Sequence, residues 1–365
     1  MWVSKNIARK SHDVTLISSR DSSGKVKELP SNLHIIETIK PSWEGMAAEE
    51  AHYLRYKEVL EKEYGSGKGI VWDNTWHCFS YLSAKKFPKM KIIHTNHGTV
   101  ERQKVPVKQL RYPRYIGLSS LHAKYMSSIL KKPVRYVHHG IPLPPIEELK
   151  SNSNNKNGGY LLSINRIVRE KGIEDSIDLA IRTRNAIKIA GDDIHVRDLS
   201  YVEMIREKCQ NSNGLAEYIG LVDNKTKAEL IKKCKAVIAC PKPTWIEAFG
   251  LYAVEANAYG KPVLARANGG LNDIIVNQIN GFLARTPREL EEYVEKIHEC
   301  SPESCRDRVE RHFTDEIMTK NYLQIFDKVI EDEPETTQCC CISKLAIPYR
   351  LLWLELFGLA GTILS

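Results

Sequence analysis

The stretch Thr244–Phe282, TWIEAFGLYAVEANAYGKPVLARANGGLNDIIVNQINGF, decides how the rest of the chain is read. The run before it, KAVIACP (Lys235–Pro241), has the apolar character of a buried strand, and LYAVEANAYG (Leu251–Gly260) is helix-like and stops at a glycine. A strand, a short loop and a helix start make a ready anion site, because the first backbone N–H groups of a helix have no partner inside it. Glu247 and Glu255 bracket the Phe249-Gly250-Leu251 turn. Glu255 falls about one turn into the helix, and Glu247 lies in the loop on the near side. This pattern predicts a phosphate-bearing ligand with hydroxyl groups on both sides.

A second half of the same pattern lies upstream. GGYLLSINRIVREKGIEDSIDLAIRT (Gly158–Thr183) reads as a buried strand, then Arg166, Lys171 and Gly172, then an amphipathic helix. An Arg fork and a Lys point charge both suit phosphate. Cations at a helix N-terminus oppose the helix dipole, so a bound anion explains them better than a solvated surface does.

The order of these motifs resembles the family 4 glycosyltransferases of the GT-B fold. The shared series is R-x4-K-G from Arg166, IAGDD (Ile189–Asp193), EYIGLVDN (Glu217–Asn224), E-x7-E with its FGL turn, GKPVLA (Gly260–Ala265) and GGL (Gly269–Leu271). It runs from Gly158 to about Tyr322 and is weaker over Met1–Pro142. The resemblance implies an α/β protein with two Rossmann-like domains facing across a cleft. The implied activity is transfer of a sugar from a UDP- or GDP-sugar to an acceptor hydroxyl, with retention of configuration and no metal or other cofactor. The acceptor class, whether sugar, lipid-linked or small molecule, stays open. Arg166 and Lys171 would hold the donor diphosphate, with the N–H groups of Phe249, Gly250 and Leu251 on phosphate or sugar. Glu255 would take the ribose, Val222 would contact the base, and Glu247 would support the transferred sugar. His97, in HTNHGT, would be a catalytic residue beside the sugar and acceptor; His138 and His139 are given no chemistry. A catalytically silent nucleotide-sugar-binding subunit or fragment is the alternative, and a GT-B nucleotide-sugar epimerase a more distant one.

The division follows composition. Strand-like and helix-like runs alternate, which predicts parallel sheets with crossover helices. Pro142–Gly159 (PLPPIEELKSNSNNKNGG) has no periodicity and marks the break. The expected layout is residues 1–143 as the acceptor-side domain, 144–157 as linker, 158–311 as the donor domain and 312–330 as a return helix. Residues 331–365 hold an acidic linker, Cys339-Cys340-Cys341 and an apolar tail. The resemblance places a strand and a glycine-rich turn ahead of HDVTLISS. Nothing upstream supplies them, so the first domain is expected to lack its first, central strand and to be a fragment.

Charge is placed unevenly. Between Lys85 and Arg135 there are 13 basic residues and one acidic residue, Glu101, a strip that suits an anionic membrane surface or a phosphorylated acceptor. It has no aromatic platform or nucleic-acid motif, so nucleic acid is not an expected partner. The tail LAIPYRLLWLELFGLAGTILS (Leu345–Ser365) carries Arg350 and Glu355, which make a central bilayer crossing costly. It is read as a membrane-lying helix, with the three cysteines as acylation sites. WVSKNIARKSHD has no apolar segment of the kind that marks a secretory leader, and the nine cysteines include no CxxC pair. Reduced thiols, a cytoplasmic location at the inner face of the membrane, and no metal site are the expectation.

Overall fold

The computed structural model describes residues 2–18, 29–39, 46–98, 113–150, 159–331 and 350–354. The chain forms two compact units, each built on a parallel sheet. The first unit comprises Met1–Leu118, Ala123–Val137 and Asp315–Gly361. The second comprises Ser119–His122, His138–Thr314 and Thr362–Ser365.

The first unit's strands are β1 (Asp13–Ser18), β2 (Leu33–Glu37), β3 (Ile70–Asp73), β4 (Ile92–Thr95), β5 (Arg114–Gly117) and β6 (Arg135–Tyr136). The second unit's are β7 (Leu161–Ile164), β8 (Ile187–Ala190), β9 (Ala216–Gly220), β10 (Ala236–Ala239), β11 (Val263–Arg266) and β12 (Gly281–Ala284). A last strand, β13 (Arg350–Leu354), returns to the first sheet. The orders are β2-β1-β13-β3-β4-β5-β6 and β12-β11-β10-β7-β8-β9. Both are doubly wound, with the chain order reversing beside one central strand.

In the first sheet that central strand is β13, which corrects two expectations. The sheet does not lack its central strand: β13 pairs in parallel with β1 (Leu352 opposite Thr15) and with β3 (Leu352 opposite Val71). Nor is this part of the tail a membrane-lying helix. Leu351, Leu352 and Leu354 are fully buried, as a strand covered on both faces requires. Arg350, at the strand's amino end, reaches Glu63. The helix Asp315–Glu331 crosses the sheet with Tyr322 and Phe326 against Trp72. Near its end, Asp327 acts electrostatically on His12, just before β1. The acidic linker and Cys339–Cys341 lie outside the described residues, as does part of the basic strip.

Side chains at helical spacing seal the other elements. Val3 and Ile7 of the Trp2–Arg9 helix face the first core, and Asn6 donates to Asp315 at 2.9 Å. In the second unit all of β7 and β10 are buried, and so are Tyr252–Ala258 of the Leu251–Ala258 helix. Asp198, Asp223, Thr286 and Ser301 cap helix starts by accepting from backbone N–H groups. The described cysteines are free and buried, and among the described residues no helix is long and apolar enough to cross a membrane.

Candidate active site

In the second unit the carboxyl end of β7 leads through Asn165 and Arg166 into a single 3-10 turn, Arg169–Lys171. Gly172 ends that turn at φ +58°, and a Cβ there would stand 2.0 Å from the carbonyl oxygen of Cys240. Only glycine fits, and the turn carries Lys171 inward. Its Nζ donates to Glu247 Oε2 at 2.7 Å, with both side chains sealed from solvent. The same ammonium lies 5.5 Å from the centre of the Tyr252 ring. The two motif halves therefore meet directly, as an internal ion pair.

The loop carrying Glu247 is held from below. Asn268 Oδ1 accepts from Glu247 N at 2.8 Å, and its amide donates to Lys242 O and Trp245 O. Gly270 N donates to Glu247 O at 2.7 Å, and a Cβ on Gly269 would fall 1.9 Å from that oxygen. This close approach explains the paired glycines before Leu271. Lys242 and Arg266 converge on Asp175 at 3.1 and 2.8 Å. Burial works to raise the Asp175 pKa, but hydrogen bonds from Arg266 and Lys242 outweigh it and hold the carboxyl below its usual range.

The FGL turn starts the Leu251–Ala258 helix with Gly250 at φ +99°, where an added Cβ would meet the Leu271 side chain at 2.7 Å. Phe249 packs its ring among His138, His139 and Phe313. Burial, helped by His138 and His122, pushes His139 down to about 4, so it is neutral at physiological pH. Asp273 accepts from Ser120 N at 2.7 Å and interacts with His138 Nε2 at 3.0 Å. Glu255 is the fifth residue of the helix and accepts from Lys227 Nζ at 2.7 Å. Val222 is buried in the loop after β9, directly before the Asp223 cap. Buried polar atoms without a protein partner here include Arg166 Nε, Asn165 Oδ1 and Tyr252 Oη. Such atoms are costly unless a ligand or water completes them.

His97 lies in the first unit, just past β4, with Nε2 3.3 Å from Asn74 Oδ1. Below it Asp73 anchors the loop after β3, accepting from Thr75 N, Thr75 Oγ1 and Ser80 Oγ. Burial acts to raise the Asp73 pKa, but His94 and the hydroxyl donors outweigh it and bring it to about 2. Asp73, Cys78 and His94 each bring one ligand atom within 4.8 Å of the others, the one group among the described residues that could hold a metal. Thr75 and Ser80 donate to the two Asp73 oxygens, which ties the loop after β3 to the strand end as a buried hydrogen-bond hub. Asn165, Lys227, Asn268 and the Asp175 cluster were not singled out from sequence. Each contacts a residue distant in the chain, and no local pattern marks them.

Residues 146–312 match the family model described as Glycosyl transferases group 1. An uncharacterized 41.2 kDa protein of the cps region of Klebsiella pneumoniae is 25% identical over 268 residues, 69% of each chain. Other curated relatives are covered over about half of their length or less. Sucrose-phosphate synthase of Thermosynechococcus elongatus superposes with a TM-score of 0.70 at 18% identity, covering 91% of this chain and 92% of that one. The Anabaena protein HepE, solved with UDP-glucose, superposes with a TM-score of 0.64 at 13% identity, covering 87% of this chain and 100% of that one. Residues 146–312 thus resemble the group 1 glycosyltransferases, and the two parallel-sheet halves share the GT-B fold of these solved structures.

Proposed function

We propose that this chain is a retaining glycosyltransferase of the family 4 kind, moving a hexose from a UDP- or GDP-sugar to an acceptor hydroxyl. The observation that carries this reading is the sealed Lys171–Glu247 pair beside the FGL helix start, with the buried Nε of Arg166 left for a ligand. Departure of a sugar builds negative charge on the leaving diphosphate. Arg166, Lys171 and the N–H groups at the helix start offer fixed positive ends to that charge, with no reorganisation during reaction. Lys171, already held by Glu247, would sit between that carboxylate and the phosphate. Glu247 would then be poised beside the transferred sugar and Glu255 by the ribose. These cations carry the role a metal ion plays elsewhere, so transfer should survive chelation. His97 keeps in this reading the catalytic role that the family resemblance gives it. The exposed Lys85, Lys86 and Lys89 support contact with an anionic membrane surface, where lipid-linked acceptors reside.

The test is turnover of a panel of UDP- and GDP-sugars with sugar and lipid-linked acceptors, with and without EDTA, and with product anomers read by NMR. Release of nucleoside diphosphate with a retained anomer, unaffected by EDTA, is the expected result. An inverted product would overturn retention, and binding without turnover would favour a silent binding subunit.

A further inference from the structure

Lys227 stands in the second turn of the Asn224–Lys233 helix, whose start is fixed by the Asp223 cap. On the same helix Lys225 and Lys233 are exposed, and the half-buried Lys232 pairs with Glu148 and Glu229. Lys227 instead turns inward to Glu255, and the two side chains are each 11% exposed. Two desolvated charges cost more than they return unless the geometry is good. The 2.7 Å contact meets that condition, but it does nothing for the helix that a solvated lysine would not. Lys227 meets Oε1; among the described residues no donor reaches Oε2 of Glu255.

We infer that Lys227 is a positioning residue for the ribose of the donor, holding Glu255 ionised and fixed so that Oε2 accepts from a ribose hydroxyl. This rests on the proposed reading of the second unit as a nucleotide-sugar site. A merely structural pair would shift the melting temperature and nothing else. A positioning pair also controls how well the protein tells a ribonucleotide from its 2′-deoxy form, and how that discrimination depends on pH. Burial pushes the Glu255 carboxyl above its ordinary value, and Lys227 acts against that push. Tyr259, at the end of the same helix, is the other titratable group that feels Glu255. Arg306, from the packed Pro302–His312 helix, turns to Ala258 O instead. Without Lys227 the raising influence of burial is unopposed, so the Glu255 carboxyl would be harder to ionise. A protonated carboxyl has lost acceptor capacity.

The experiment is calorimetric titration of the full chain with UDP and 2′-deoxy-UDP, and with GDP and 2′-deoxy-GDP, at pH 6.0 and 8.5. The parent should prefer the ribonucleotide by about tenfold or more at both pH values, the worth of one hydrogen bond to a charged group. Lys227→Met should lose that preference at pH 6.0 and regain part of it at pH 8.5, and Lys227→Arg should keep it. Should Lys227→Met fail to fold, Lys227→Gln carries the same expectation. A parental preference at both pH values in the folded Met or Gln variant overturns the inference, whatever its melting temperature. The Glu255→Gln variant separates the two levels. If it discriminates like the parent, the ribose role of Glu255 falls and Lys227 with it. If it loses discrimination while Lys227→Met keeps it, only the role of Lys227 falls. A parent that binds none of the four nucleotides removes the functional reading itself.

Discussion

Replacing Lys171 with alanine should damage stability as well as turnover. A loop cation read from sequence alone could be removed with the fold intact, but Lys171 is sealed against Glu247 at 2.7 Å. Its loss leaves a buried carboxylate with no opposite charge, which typically costs about 3–5 kcal/mol. In a unit of this size each kcal/mol moves the midpoint by roughly 2–4 °C, so Lys171→Ala should melt about 6–20 °C below the parent. The double variant Lys171→Met/Glu247→Gln removes both charges and keeps the volume, so it should recover most of that loss. Turnover should not recover. Each single change should slow transfer at least about a hundredfold, the usual effect of a lost electrostatic contact in a transition state, and the double change should be no faster. Calorimetry without ligand gives the first quantity, and initial rates at a temperature where all variants are folded give the second. If Lys171→Ala melts within about 2 °C of the parent, or the double variant falls as far as the single, the buried pair is not what holds this loop.

Three further expectations follow from the fold. Leu352→Ala, at the centre of β13, should cost about 2–5 kcal/mol, and a chain ending at Glu331 should lose protection from proteolysis across the first unit before the second; an unchanged first unit would show that β13 is dispensable. Asp73 is held at about 2 when folded against an ordinary 3.8, so its contribution is present above about pH 3.8 and lost as pH falls toward 2. Asp73→Asn should therefore flatten the melting-temperature profile in that window, and an unaltered acid limb would contradict the hub. Gly172→Ala, forced to φ +58° with its Cβ against Cys240 O, should cost about 1–3 kcal/mol by denaturant titration and displace Lys171.

The strand–loop–helix pattern that carries Lys171 and Glu247 was legible because its signals are local. Arg166, Lys171 and Gly172 follow a buried, mostly apolar strand, and the FGL turn lies between a second buried strand and a helix that stops at Gly260. Strand, loop and helix start follow one another in the chain, so spacing alone fixes where the side chains emerge. The central strand of the first sheet gave no such signal. Its partners, β1 and β3, lie some 300 residues away in the chain, and parallel pairing leaves no turn to read. An apolar run flanked by charges reads equally well as a membrane segment. The pairing of Lys227 with Glu255 was hidden for the same reason: nothing in NKTKAEL distinguishes the lysine that turns inward from those that face solvent.

The central claim is that the second unit binds a nucleotide-sugar so that the Lys171–Glu247 pair acts on the departing diphosphate. The most direct measurement is release of UDP or GDP from the donor panel by the full chain, beside Glu247→Gln. The account predicts acceptor-dependent release from at least one donor by the parent, and a fall of at least about a hundredfold in the variant with donor binding largely kept. Equal release by parent and variant from the same donor would contradict it.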